Sequence, residues 1–333
     1  MTKRHPTRSQ SLSWFLLCAM LLVLSACGKT GGSAAAGTNA SGSADLKTLK
    51  IGYLPITHAA PLYIEDALGK QNFKQFKLEL VKFGSWPDLM DALNTGKIDG
   101  ASVLIELAMK AKEQGIDLKA VALGHKDGNV IVTSNDITQG ADLKGKKFAI
   151  PHKFSTHNVL LYEMLKKNGL QYSDVNVVEL APAEMPAALA EGRISGYVVA
   201  EPFGAKSVVI KKGKALFQSE QIWKDSVDCA LVMRGDVLKN HQSASQEFIA
   251  EYLKAGKKAE LKDEEAKTIL GKYMNVEKNV LDLSLQWISY GDLKLTEQAY
   301  EQLRKYMIEM GLSNNPPSYK DFVDNSFIDQ IKG

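Results

Sequence analysis

Apolar positions along the chain fall into short runs that alternate with segments of helical spacing, beginning at Leu49. LKIGYLP (49–55) predicts a strand and APLYIEDALGKQ (60–71) a helix. FKLELVKFG (76–84) alternates as a strand does, and PDLMDALNTGK (87–97) has a helical period. GASVL (100–104) predicts a short buried strand, IELAMKAKEQ (105–114) a helix, and LKAVALG (118–124) and NVIVTS (129–134) two more strands. The pattern then restarts. KKFAIP (146–151) reads as a strand and HNVLLYEMLKKNG (157–169) as a helix; VNVVELAP (175–182), AEMPAALAEGR (183–193) and SGYVVAEP (195–202) follow as strand, helix and strand. Beyond CALVMRG (229–235) the chain turns largely helical, through SQEFIAEYLKAGKKAELK (245–262), EEAKTILGKYM (264–274) and TEQAYEQLRKYMIEMG (296–311). Strands and helices in this order predict mostly parallel sheets covered by helices on both faces.

The restart has a signature. DLMDALNTGKIDGASV (88–103) aligns without a gap to EMPAALAEGRISGYVV (184–199), at a constant offset of 96 residues. Ala92-Leu93 matches Ala188-Leu189, and Gly96, Ile98 and Gly100 match Gly192, Ile194 and Gly196. Each copy reads as an amphipathic helix stopped by a glycine C-cap that turns into a strand. Helix-to-strand joints resemble one another in general, but so many ungapped matches favour two related α/β lobes. The expected organisation is lobe 1 over 48–134 plus 236–333 and lobe 2 over 135–235.

Ahead of the body lies a different pattern. Residues 1–10 are basic, and SLSWFLLCAMLLVLSA (11–26) is one uncharged apolar run, too short for a comfortable membrane span. A basic stretch followed by such a run predicts a secretory signal peptide over residues 1–26. It ends in Leu24-Ser25-Ala26-Cys27, which resembles the bacterial lipobox, whose cysteine thiol receives diacylglycerol and becomes the new N-terminus. The alternative is an uncleaved anchor with an incidental cysteine. GKTGGSAAAGTNASGSA (28–44) follows; it is Gly/Ser/Ala-rich and has no apolar face, so residues 27–47 are expected to form a lipidated flexible tether.

Charge and cysteine usage exclude several functions. Removal of residues 1–26 takes away Lys3, Arg4 and Arg8 and leaves the mature chain formally neutral, which gives no electrostatic case for nucleic-acid binding. Of the three cysteines only Cys229 lies in the body, so no internal disulfide is expected, and the sequence contains no CxxC motif or Cys/His cluster spaced for zinc. No metal and no cofactor is therefore expected. GxSxG, P-loop and HExxH motifs are absent too, and the chain is not expected to be an enzyme.

The lipobox, the two halves and the helical C-terminus together resemble the solute-binding proteins of ABC importers, in the subgroup serving nitrate, bicarbonate, sulfonates, taurine and thiamine-precursor pyrimidines. Three segments carry the resemblance: IGYLPITHAAPLYIEDALG (51–69), the joint ending KIDGAS (97–102), and GRISGYVVAEPF (192–203). It implies a type II periplasmic-binding-protein-like α/β fold, two doubly wound lobes joined by two crossover strands, for which 129–134 and 229–235 are the candidates. It also implies a monomer held on the extracytoplasmic face of the cell membrane through lipid on Cys27. Its partners would be a small-molecule solute, an ABC transporter permease and the membrane itself. The solute would be sulfonate- or taurine-like or a related small anion. A pyrimidine or other small heterocycle is the alternative, as is a sensory lipoprotein with no transport role.

Ligands of such folds bind beyond the carboxyl ends of the strands. Thr57 and His58 follow the first strand, and His58 reads equally as a ligand contact or a capping histidine. Trp86 opens a helix, as a pocket wall or as core packing. Ser155, Thr156 and His157 lead into the first helix of lobe 2, with hydroxyls and free backbone N–H groups, though Ser155 or Thr156 could serve only as an N-cap. The resemblance maps an amide side chain onto Asn129 and a Thr-His pair onto Thr156-His157. Glu201 and Pro202 are expected to fix the hinge, with Phe203 facing the ligand. One departure stands out: nitrate binders carry a cationic side chain just before the return strand, whereas Ser226-Val227-Asp228-Cys229 has none. That disfavours nitrate and favours a larger, partly apolar or zwitterionic solute.

Overall fold

Two five-stranded sheets with the same internal order form the body. The computed structural model describes residues 46–331; the signal peptide, Cys27 and nearly all of the tether lie outside them. The strands are β1 Lys47–Tyr53, β2 Phe76–Lys82, β3 Gly100–Leu104, β4 Leu118–Leu123, β5 Lys126–Asp127 and β6 Asn129–Thr133. They continue as β7 Lys147–Ile150, β8 Asn176–Glu179, β9 Gly196–Ala200, β10 Lys214–Gln218, β11 Cys229–Arg234 and β12 Ile288–Ser289. The first sheet runs β2-β1-β3-β11-β4 and the second β8-β7-β9-β6-β10. In each, one strand is antiparallel to its neighbours: β11 between β3 and β4, and β6 between β9 and β10.

That correspondence gives the internal repeat a structural basis. The joint between α2 (Trp86–Asn94) and β3 matches the joint between α5 (Met185–Ala190) and β9. Gly96 and Gly192 take left-handed backbone, φ 75° and 69°, after their helices. Lys97 N–H then donates to Ala92 O, and Arg193 N–H to Ala188 O, each at 2.9 Å, the Schellman closure expected of a glycine C′. A Cβ on Gly100 would stand 2.8 Å from Val232 O, and one on Gly196 would stand 2.9 Å from Val132 O. Both glycines thus admit the antiparallel strand at the same close approach.

The lobe boundaries shift from those expected. Residues 129–133 were placed in lobe 1 but pair within the second sheet, and 229–234 were placed in lobe 2 but pair within the first. The chain therefore changes sheets at 124–128 and again between β10 and β11. The reason is that each sheet borrows its antiparallel strand from the far side of a crossover, a register that a run of apolar residues does not announce. The edge strand β10, KALFQ, was also missed, because a half-exposed edge carries little apolar alternation.

Alternating side chains on the central strands serve two cores. Val130, Val132, Tyr197 and Val199 pack with Met185 and Leu189 on one face of the second sheet. Ile131, Val198 and Ala200 face the larger core with Val159, Leu160 and Leu161 of α4 (Thr156–Lys167). On the first sheet α1 (Ala60–Gly69) and α3 (Ile105–Glu113) cover the strands, and the C-terminal helices wrap around them. α9 (Gln242–Glu260) and α10 (Glu264–Met274) lie against α1, whereas α11 (Lys278–Ser284) reaches α6 (Phe203–Val209) of the second lobe. No helix among the described residues is long and apolar enough to cross a membrane.

Candidate functional site

The loops that leave the strand ends converge between the two sheets on Asp228, which sits just before β11 and is 2% exposed. His58 lies in a single 3-10 turn, Thr57–Ala59, between β1 and α1. His125 follows β4, and His157 lies in the first turn of α4, capped by Ser155. All three imidazoles are buried and face the Asp228 carboxylate. His58 Nδ1 is 3.1 Å from Oδ2, His125 Nε2 3.7 Å from Oδ2, and His157 Nδ1 3.8 Å from Oδ1. The His58 and His125 rings stack with centroids 3.5 Å apart.

Backbone carbonyls decide which nitrogens carry the protons. His58 Nε2 lies 3.2 Å from Gly128 O, and His125 Nδ1 lies 2.7 Å from Asp127 O. A carbonyl only accepts, so those two nitrogens are the N–H donors. The remaining nitrogens, His58 Nδ1 and His125 Nε2, face the same carboxylate oxygen, and His125 Nε2 also accepts from Cys229 N–H at 3.4 Å. Asn129 Nδ2 donates to that oxygen at 3.1 Å, and the buried Cys229 thiol is 3.9 Å from it. His58 Nδ1, both nitrogens of His157 and Asp228 Oδ1 have no hydrogen-bond partner. Together the ligand atoms of His58, His125, Asp228 and Cys229 lie within 4.8 Å of one another.

The electrostatics suit a negative carboxylate at Asp228. Burial, and then neighbouring His58, hold His125 down to about 4 despite Asp228. Burial also lowers His157. For Asp228, burial pushes upward, but the surrounding His157, His125 and His58 outweigh it and keep the carboxyl well below its ordinary range. Burial and the nearby Asp228 push Glu106 up. Glu106 Oε1 and Thr156 Oγ1 are 2.6 Å apart, and Thr156 Oγ1 also contacts Val227 O very closely. Thr156 Oγ1 donates to Glu106 Oε1, which opposes that rise in part.

The other expected residues hold the lobes together. Thr57 N–H and Oγ1 both donate to Glu201 O, at 2.8 and 3.1 Å, so that hydroxyl is already used. Glu201 precedes Pro202 through a cis bond, and its Oε2 accepts from Ala205 N–H and Ser284 Oγ, both at 2.9 Å. Ser155 is the N-cap of α4: its Oγ accepts from Asn158 N–H and donates to His152 O. Phe203 is half-buried against both cores, and Trp86 is buried at the head of α2 with its Nε1 unpartnered. Neither appears among the contacts of the histidine cluster. A surface groove of about 890 Å³, lined by residues including Lys74, Asp117, Lys239 and Phe327, contains none of the cluster residues.

His125, Asp228 and Cys229 were not foreseen as a site. No spacing joins His58, His125 and 228–229, which lie in three separate segments; the available clue was the acidic Asp228 where relatives carry a cation.

A family model described as "NMT1-like family" matches residues 42–273. The chain belongs to the NMT1-like family. A crystal structure described as the ligand-binding component of an ABC-type import system from Staphylococcus aureus, with zinc bound, is 43% identical. It covers 86% of this chain and 99% of its own, with a TM-score of 0.82. The nitrate/nitrite binding protein NrtA of Nostoc sp. is 28% identical over 78% of this chain, and a putative aliphatic sulfonates-binding protein of Escherichia coli is 30% identical over 52%. This NMT1-like chain spans 66% and 57% of the length of those two curated relatives. The two-lobed α/β fold is thus that of ABC-type solute-binding proteins.

Proposed function

We propose that this NMT1-like protein is the extracytoplasmic, lipid-anchored binding component of an ABC importer, and that its cargo between the lobes is a cation. It is not an enzyme in this reading. The cargo would be captured in an open form, buried as the lobes close, and handed to the permease, with Cys27 and the tether keeping the body at the membrane surface. One observation carries the charge of the cargo. Three imidazoles and a thiol surround the Asp228 carboxylate, and among the described residues no Lys or Arg pairs with it. An anion 4 Å from that carboxylate would be repelled by about 4 kcal/mol at an effective dielectric of 20. A bare sulfonate or nitrate is therefore disfavoured here. The Staphylococcus aureus relative, described with zinc bound, supports a cation. A second reading rests on the unpartnered His157 nitrogens and Asp228 Oδ1: a zwitterion or heterocycle could offer them N–H and acceptor groups.

The test is a thermal-shift panel on residues 28–333, stripped of retained ligand by unfolding and refolding. Divalent metals, taurine, alkanesulfonates, nitrate, bicarbonate and pyrimidines are compared. A raised midpoint with a cation and none with the simple anions is expected; the reverse would refute the proposal. Uptake of the cargo in cells with and without the permease separates transport from sensing. Release of a Cys27→Ala form from the membrane fraction tests the anchor.

A further inference from the structure

Taking the interlobe cluster as the cargo site, as proposed above, we infer that His58 Nδ1, His125 Nε2, the Asp228 carboxylate and Cys229 Sγ are the four donors of a site for one thiophilic divalent ion of the zinc class. Bond lengths of about 2.0–2.1 Å to nitrogen or oxygen and 2.3 Å to sulfur put tetrahedral donors about 3.3–3.6 Å apart. The three spacings from Asp228 Oδ2 are 3.1, 3.7 and 3.9 Å and all four donors lie within 4.8 Å of one another, so an ion would bind by drawing the donors together by up to about an ångström.

Three features favour an ion over a proton at this point. A proton can bridge only one of the pairs that meet at Asp228 Oδ2, whereas a metal ion satisfies all the donors at once. Both imidazoles already have their outer N–H groups held by Gly128 O and Asp127 O, the outer-shell arrangement that fixes the tautomer of a metal-ligating histidine. The charges also close: two neutral imidazoles, one carboxylate and one thiolate make a neutral complex with a divalent ion, as a fully buried site requires. Coordination is balanced by release of the Cys229 thiol proton to solvent as the sulfur–metal bond forms.

The donor set also selects. One thiolate and two imidazoles suit zinc and cobalt, while calcium and magnesium prefer oxygen ligands and larger coordination shells. His157 stands outside the four-donor set and faces the other carboxylate oxygen from α4 at 3.8 Å, without a hydrogen bond to it.

The experiment titrates zinc and cobalt into metal-stripped residues 28–333 against a competing chelator. One ion per chain is expected, with a thiolate-to-cobalt charge-transfer absorption that Cys229→Ser removes. His58→Ala and His125→Ala should each weaken zinc binding by at least the roughly 10–100-fold that loss of an outer-shell partner costs, and His157→Gln, outside the donor set, should change it less. Cys229→Ser is nearly isosteric, so it keeps the test decisive if a histidine variant fails to fold. Absence of the cobalt–thiolate band in the wild type, or zinc affinity unchanged in Cys229→Ser and His125→Ala, would overturn the inference. An organic cation that stabilises the chain while zinc and cobalt do not would also overturn it, yet leave the cation proposal standing. Stabilisation by a sulfonate or nitrate alone would remove both.

Discussion

His58 Nδ1 and Asp228 Oδ2 stand 3.1 Å apart, and His58 Nε2 lies 3.2 Å from Gly128 O. Oδ2 accepts from Asn129 Nδ2, while Oδ1 and His58 Nδ1 have no partner, and an unpaired buried polar group costs about 1–3 kcal/mol. Replacement of Asp228 by Asn removes the charge and supplies an N–H. The surroundings hold the Asp228 carboxyl well below its ordinary range, so the cargo-free midpoint of Asp228→Asn should fall, and the cargo-dependent rise in midpoint should disappear. Differential scanning calorimetry with and without cargo measures both. A cargo-free midpoint at or above wild type would show that the buried charge is destabilising until cargo binds.

A second prediction concerns the bond chain across the lobes. Thr156 of α4 ties Glu106 of α3 to Val227 O, and all three groups are buried. Thr156→Val keeps the shape but strands the Glu106 carboxyl and the Val227 carbonyl. A loss of about 1–3 kcal/mol is expected in urea unfolding, with Thr156→Ser recovering most of it. Equal stability of Thr156→Val and wild type would mean that water replaces the hydroxyl.

Much of the fold could be read from the pattern, and the cargo cluster could not. Period-2 and helical spacing marked β1 to β4 and α9, α10 and α12 (Glu297–Glu309) to within a few residues, because their buried faces are continuous in sequence. The 96-residue repeat was visible for the same reason: a helix, a C′ glycine and a buried strand are local chemistry. Strand exchange between sheets is not local, so 129–134 and 229–235 were assigned to the wrong lobes. Likewise Cys229 reads as a lone buried thiol. It acquires chemistry only when the crossover brings β11 beside the loop after β1 and the end of β4.

The matched glycines test the repeat directly. A Cβ at Gly100 would collide with Val232 O and the Met233 sulfur, and one at Gly196 with Val132 O and the Phe148 ring. Backbone carbonyls in a paired strand yield little. Gly100→Ala and Gly196→Ala should each destabilise by about 1–3 kcal/mol, as overpacked cores do, with similar values in the two lobes. Chemical denaturation of the two variants measures the pair. A neutral result at either position would mean that its sheet can spread to admit a methyl group, and the structural equivalence of the two joints would fail.

The last prediction is a pH dependence at Glu201, which precedes the cis bond to Pro202. Burial raises the Glu201 carboxyl to about 8, with Ala205 N–H and Ser284 Oγ opposing the rise only in part. The ordinary value is about 4.3, so between the two the folded chain holds a proton that the unfolded chain has released. Stability from this group is therefore fully present below about pH 4 and declines as pH rises toward 8, by about 1.4 kcal/mol per unit at most. Above 8 both states are ionised and the contribution levels off. Glu201→Gln keeps the side chain neutral at every pH. In parallel urea titrations from pH 5 to 9, the difference in unfolding free energy between Glu201→Gln and wild type should grow in favour of the variant as pH rises, then flatten near 8. A difference constant across that range would place the Glu201 carboxyl back near its solution value, and the interlobe contact with Ser284 would then be made by an ionised group.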